Sequence, residues 1–235
     1  MHRDTFFEDL ELIDFKECWD YQQKLFKQIL EIKSANRNRH LSDIVPTTNH
    51  LIFCAHPHVF TLGRSGSDKN MLVNLHELHK IKASFYEINR GGDITYHGPG
   101  QIVAYPILDL ENFQLSIKSY VTALEEAVIK TLDAYHIKAD RVNGATGVWI
   151  DGHMPHKARK ICAIGIKVSR YVSMHGLAFN INTDLNYFSY INPCGFTDKA
   201  VTSLQKEVGQ QVPEDEVKTK LKNYLSDTIG LTFYK

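Results

Sequence analysis

Cys194 stands in the run Tyr-Ile-Asn-Pro-Cys-Gly-Phe, between Pro193 and Gly195. Proline fixes its own φ and lacks a backbone donor, and glycine frees the next peptide unit to turn. A thiol between them sits on a tight turn that can present it to a cleft, as a nucleophile or simply as a turn residue. The other cysteines read differently. Cys162 alternates with Ile161 and Ala163 in a strand-like run, and Cys54 does the same in Leu-Ile-Phe-Cys-Ala-His, so both are expected in the core. Cys18 falls on the first predicted helix without chemical context. With no Cys-x-x-Cys, a zinc ribbon or a disulfide framework is not expected.

A thiol of ordinary pKa is mostly protonated at neutral pH and needs a base or a cation to react. Lys160 opens the apolar run Lys-Ile-Cys-Ala-Ile-Gly, where desolvation can lower an amine's pKa. The plain alternative is a solvated charge at a strand edge. The pairs His56/His58 and His76/His79 have the look of metal ligands. Yet His-x-x-His aligns less well on a helix than an i, i+4 pair, and no carboxylate or cysteine cluster completes a set. Surface or hydrogen-bonded histidines are expected there, with no metal and no cofactor. His97 and His175 lie in glycine-containing segments beside apolar strands, where each either orients a site or bonds to backbone.

The run from Arg90 to Leu110, RGGDITYHGPGQIVAYPILDL, places four glycines within eleven residues. Glycine packs nothing, so such a cluster marks backbone that something approaches closely. It is not a phosphate loop, because no Lys-Ser/Thr follows Gly98 or Gly100, and it lacks the third glycine of a dinucleotide fingerprint.

The elements that must position these residues can be read from periodicity. Residues 16–33 carry Trp19, Leu25, Phe26, Ile29, Leu30 and Ile32 near one helical face. Residues 34–50 are polar and turn-rich and read as a loop. LIFCAHPHVFTLGRSG reads as one buried strand ending in a glycine turn, and residues 83–100 as strand, turn, strand. QIVAYPILDL is strand-like, although Pro106 limits its ladder bonding. Ile117, Val121, Leu124, Val128, Leu132 and Tyr135 mark the clearest helix. GVWIDG and residues 160–182 supply three or four further strands. A C-terminal helix over 213–230 has proline and acids in its first turn and glycine at its end, and forms a small subdomain of its own on this reading. The class is α+β, mostly antiparallel sheets flanked by helices, in a single catalytic domain of residues 1–235.

At 235 residues, 43% hydrophobic and 23% charged, the chain is of ordinary globular composition. Lys+Arg and Asp+Glu both total 27, which argues against a polyanion such as nucleic acid as partner. No run of 18 apolar residues occurs and the first 15 residues are acidic and broken, so no membrane span or leader is expected and the location is cytoplasmic.

HPHVFTLGRSG, RGGDITYHGPGQIVAYPILDL, GVWI, RKICAIGIKVSR, MHGLAFNINTDLNYF and INPCG, in this order between about residues 51 and 204, together resemble the lipoyl(octanoyl) transferase family. The resemblance implies an acyltransferase of lipoate biosynthesis that moves octanoyl from octanoyl-acyl carrier protein to a lysine of a lipoyl domain. The acceptors it implies are the 2-oxo acid dehydrogenase complexes and the glycine cleavage H protein. It implies the catalytic-domain fold of biotin and lipoate protein ligases, a nucleophile at Cys194 and its partner lysine at Lys160. It implies an acyl pocket made by Arg90, Gly91, Gly92, Asp93, Ile94, Thr95, Tyr96 and His97, by Ala163, Ile164 and Gly165, and by Gly176, Leu177 and Ala178. Gly91, Gly92, Gly165 and Gly176 are expected to keep side chains out of that tunnel. The 34–50 loop is longer than the family usually has. The rival readings are an ATP-dependent lipoate or biotin-type ligase, an amidotransferase moving octanoyl between two lipoyl-domain proteins, and a non-catalytic module binding acyl carrier or lipoyl domains through a basic face that includes Lys157, Arg159, Lys167 and Arg170.

Overall fold

The computed structural model describes residues 2–192 and 200–234; Cys194 and its neighbours 193–199 lie outside them. The chain runs β1 (Asp4–Leu12), α1 (Phe15–Asn36), β2 (Asn49–Ala55), β3 (Val59–Leu62), α2 (Leu75–Lys80), β4 (Ser84–Glu87), β5 (Thr95–His97) and β6 (Gln101–Ile107). It continues with α3 (Ile117–Asp133), β7 (Asp140–Val142), β8 (Ala145–Ile150), β9 (Arg159–Ser169) and β10 (Val172–Asn180). It closes with β11 (Ala200–Val201), α4 (Leu204–Val208), α5 (Glu214–Ile229) and β12 (Thr232–Phe233). Among the described residues a large sheet has the order β12-β1-β2-β6-β10-β9-β8-β7, with β11 on β9, and a small one the order β4-β3-β5. The expected α+β class holds, with parallel pairs at β1–β2, β1–β12, β3–β4 and β9–β11 among antiparallel ones.

Alternation along the strands divides the large sheet into two faces. One carries Leu51, Phe53, Ile102, Ala104, Leu177 and Phe179 against Leu124 and Val128 of α3 and Leu221 and Leu225 of α5. Each such aliphatic side chain, fully buried, stabilises the fold by roughly 1.5–3 kcal/mol. The C-terminal helix is thus part of the main core, not a subdomain. The opposite face carries Ile52, Cys54, Val103, Tyr105 and Ala178, packed in part against Cys18, Leu25, Phe26 and Ile29 of α1. The remainder of that face lies beneath the small sheet.

Several expectations need correction. The sequence reading assigns no element before α1, yet β1 is a nine-residue strand; its partners, β2 and β12, are distant in sequence, so no local pattern announces it. The loop after α1 is shorter than 34–50, because helix continues through Asn36 and β2 begins at Asn49. The run from 51 to 62 is two strands in different sheets, broken at His56-Pro57-His58. Pro106 sits in β6 between β2 and β10, a central strand. It is tolerated because the regular pairing of β10 with β6 is interrupted there without a change of register. Regular pairing with β6 starts at Leu177↔Ala104, His175 has φ 62°, and the Ser173 hydroxyl bridges the gap, donating to Pro106 O at 2.8 Å and accepting from Leu108 N at 3.1 Å.

Candidate active site

Between the small sheet and the open part of the large sheet lies a cavity of about 320 Å³. Arg90, Gly92, Asp93, Ile94, Thr95, Tyr96 and His97 border it from above; Ala163, Ile164, Gly165, Gly176, Leu177 and Ala178 form its floor on β9 and β10. Lys160 borders the same cavity. Of the residues singled out in sequence, Gly91 is not on its wall, and Cys194 lies outside the described residues. Ile164 and Leu177 border it while also packing into the core shared with α3 and α5. Sequence reasoning missed Phe15, Ile88, Gln101, Val103, Tyr105 and Asn180, which line the wall together with Gly144, Ala145, Thr146, Phe188 and Val201. Of these only Gln101, Val103 and Tyr105 carried a signal, sitting on alternate positions of a strand that follows the glycine cluster.

The glycines do something other than clear a tunnel. A Cβ on Gly165 would stand 2.9 Å from Gly91 O and 3.0 Å from Arg90 Cδ. Their close approach lets Gly91 N donate to Ile166 O at 2.8 Å, which lays the 90–92 loop onto β9. A Cβ on Gly176 would lie 2.1 Å from Ala104 O and 2.8 Å from Pro106 Cδ, so this residue admits β6 beside the gap in the ladder. Gly92 has φ 85°, where any side chain strains the backbone, so its substitution tests the turn before it tests the cavity.

Arg90 is buried and fixed: Nη2 donates to Thr61 O at 2.6 Å and Thr61 Oγ1 at 2.9 Å, and Nη1 to Gly91 O at 3.0 Å. Its charge lies near two buried histidines. Burial, then His56 and Arg90, hold His97 well below the usual imidazole range. Burial, then Arg90 and Lys167, push His175 down to about 3. Both are neutral at physiological pH. The His97 ring pairs its Nδ1 with Gln101 Oε1 at 3.3 Å, and Gln101 Nε2 donates to Tyr96 O at 3.1 Å and Asn180 Oδ1 at 2.9 Å. Asn180 Nδ2 then donates to Thr202 O at 2.9 Å, and Thr202 N to Lys160 O at 2.9 Å. A hydrogen-bonded chain therefore runs from the roof of the cavity to the backbone of the lysine.

Lys160 lies on β9 between Trp149 of β8 and Val201 of β11, with Nζ 4.6 Å from the centre of the Trp149 ring. The aromatic face attracts an ammonium charge while leaving the side chain at the cavity. Cys162, two residues on, is buried in the core shared with α3, and burial pushes its thiol up. It is packing, as expected, and so is Cys54. Cys18 does have context: its sulfur, that of Cys54 and a His56 ring nitrogen lie within 4.8 Å of one another, all buried. His56 is satisfied there without an ion, through Ile13 O at 2.8 Å and the Tyr105 hydroxyl at 2.9 Å. His76 and His79 are exposed on α2. Of the basic face, Arg159 is committed to Glu207 and Asp151, each at 2.6 Å, and Lys167 lies 4.9 Å over the Phe26 ring. No helix among the described residues is long and apolar enough to cross a membrane.

Comparison with known proteins agrees with this architecture. The family model described as lipoyl protein ligase A/B catalytic domain matches residues 14–226. An octanoyltransferase of Cytophaga hutchinsonii is 50% identical over 230 residues, covering 96% of this chain and 94% of its own. One of Bacteroides thetaiotaomicron is 54% identical over 213 residues, covering 91% and 90%. In fold, the chain is similar to an archaeal bipartite lipoate protein ligase of Thermoplasma acidophilum, with TM-score 0.68, 18% identity and coverage of 100% and 87%. A lipoate-protein ligase A solved with ATP gives TM-score 0.66 at 18% identity, covering 100% and 88%. The chain belongs to the lipoyl protein ligase A/B catalytic-domain family, and within it is an octanoyl-transferring enzyme of lipoate biosynthesis.

Proposed function

We propose that this enzyme takes octanoyl from acyl carrier protein, holds it on Cys194 as a thioester, and passes it to a lysine of a lipoyl domain. The observation that carries the reading is the placing of Lys160 at the border of a cavity whose floor is small and apolar, with Ala163, Gly165, Gly176 and Ala178. An octanoyl chain has seven carbons beyond its carbonyl, and burying them at roughly 0.8 kcal/mol per methylene gives several kcal/mol of gross affinity. Neutral His97 and His175 add no charge of their own to such a site.

In this mechanism Lys160 as ammonium favours the Cys194 thiolate. The thiolate attacks the carrier thioester, the carbon–sulfur bond to the carrier breaks, and Lys160 supplies the proton that the departing thiol takes. The neutral amine of Lys160 then accepts the proton of the attacking acceptor lysine, the amide bond forms, and Cys194 leaves as thiolate. Protons and bonds balance over the two steps. The exchange of thioesters is nearly isoenergetic and the amide lies downhill, so no nucleotide is needed. The acceptors are the lipoyl domains of 2-oxo acid dehydrogenase complexes and the glycine cleavage H protein; the archaeal ligase of the same fold was solved as a system with its E2 lipoyl domain.

The test is transfer from octanoyl-acyl carrier protein to an apo lipoyl domain without ATP or Mg²⁺. Modification of the acceptor lysine is expected. A strict ATP requirement would instead assign the chain to the ligase chemistry of its structural neighbours.

A further inference from the structure

We propose that Phe15, the first residue of α1, is the end stop of the cavity and sets the acyl chain length the enzyme accepts. The proposal rests on reading this cavity as the acyl site. Lys160 and Phe15 both border it, but from different parts of the fold. From Lys160 to Gly165 is roughly 16 Å along β9, and from β9 across β10 to β6 is roughly 10 Å. Gly165 pairs with Gly176, and Gly176 abuts Ala104 and Pro106, on either side of Tyr105. Tyr105 therefore lies at the end remote from the lysine, and Phe15 joins it through the His56 ring and packs with Ile88.

Phe15 is 3% exposed, and it is clamped from both sides in sequence. Before it, Ile13 N donates to Ala55 O at 3.0 Å, and Ile13 O accepts from His56 Nδ1 at 2.8 Å. Just after it, the Asp14 carboxylate caps α1, accepting from Lys16 N at 2.8 Å and Glu17 N at 3.2 Å. The ring is held face-on to Tyr86 and to His97, with centroids 5.4 and 6.2 Å away, and edge-on to His56 at 5.3 Å. His56 also accepts from the Tyr105 hydroxyl. A wall of interlocked rings has few rotamers to yield with, so it ends a chain sharply where a methionine or leucine wall would adapt. A chain longer than the cavity must displace Phe15 or leave the carbonyl short of Lys160.

The test compares hexanoyl-, octanoyl-, decanoyl- and dodecanoyl-acyl carrier protein as donors to an apo lipoyl domain, for wild type, Phe15→Ala and Phe15→Leu. Thermal melts check that the variants are folded, and Phe15→Leu is the milder change if Phe15→Ala unfolds. Ala163→Leu, which fills the floor midway, is run alongside. Wild type is expected to reject dodecanoyl. Phe15→Ala is expected to raise the dodecanoyl-to-octanoyl ratio of kcat/KM by on the order of tenfold or more, with Phe15→Leu intermediate. Unchanged ratios in folded Phe15 variants, while Ala163→Leu loses octanoyl transfer, would overturn the stop and leave the acyl site standing. Normal octanoyl transfer by Ala163→Leu, or a wild type that uses none of the four donors, would overturn the acyl-site reading and the stop with it.

Discussion

The two faces of the large sheet are built from the same strands and do opposite things. Toward α3 and α5, Ile102, Ala104, Leu177 and Phe179 pack in one apolar cluster with Leu124, Val128, Leu221 and Leu225. Toward the small sheet, the neighbouring positions Gln101, Val103, Gly176 and Ala178 border a cavity roofed by buried His97 and Arg90, with buried His175 beside Gly176 on β10. The lesson is one of period: a two-residue repeat lets a strand be core on one side and binding wall on the other, so stability and chemistry can be altered independently.

The strongest way to break that separation is at Lys160. Lys160→Ala is expected to lower octanoyl transfer by on the order of a thousandfold, with the thermal midpoint nearly unchanged, because the side chain is only half-buried. A comparable fall in both would mean that the lysine is structural. On the other face, Leu221→Ala removes a fully buried side chain and should cost about 2–5 kcal/mol in urea unfolding while the folded fraction keeps its kcat/KM.

A pH series sharpens the comparison, since the buried histidines belong to the cavity face. Below about pH 6.5 the unfolded chain binds a proton at residue 175 that the folded chain, with its pKa near 3, does not. Stability is therefore flat above that pH and falls as pH drops below it, by about 2 kcal/mol at pH 5 from His175 alone. His175→Gln should flatten the slope of urea midpoints between pH 7 and 5. The smallest effect is expected at Arg159, paired with Glu207 and Asp151 near the rim. Arg159→Met should cost about 1 kcal/mol in unfolding, since these partners are partly solvated.

How much of this was legible in the sequence depended on whether the information was local. Arg90 to His97, Ala163 to Gly165 and Gly176 to Ala178 each form a contiguous segment, and a motif resemblance finds contiguous segments. Phe15, Ile88 and Asn180 reach the cavity only through packing, and no local spacing announces them. The glycines were noticed for the right reason, close approach, but what approaches Gly165 and Gly176 is the chain's own backbone, at Gly91 and Ala104. Pro106 points to weakened pairing, which the structure meets with a gap in the β6–β10 ladder opposite it rather than by placing the strand at an edge. β1 stayed hidden because parallel partners far along the chain define it.

The most direct measurement is mass spectrometry of peptides from enzyme incubated with octanoyl-acyl carrier protein in the absence of ATP, before any acceptor is added. The account predicts a single octanoyl group on Cys194, absent from Cys194→Ala and slow to form in Lys160→Ala. An octanoyl group on Cys162, or acyl transfer that proceeds at full rate in Cys194→Ala, would contradict it.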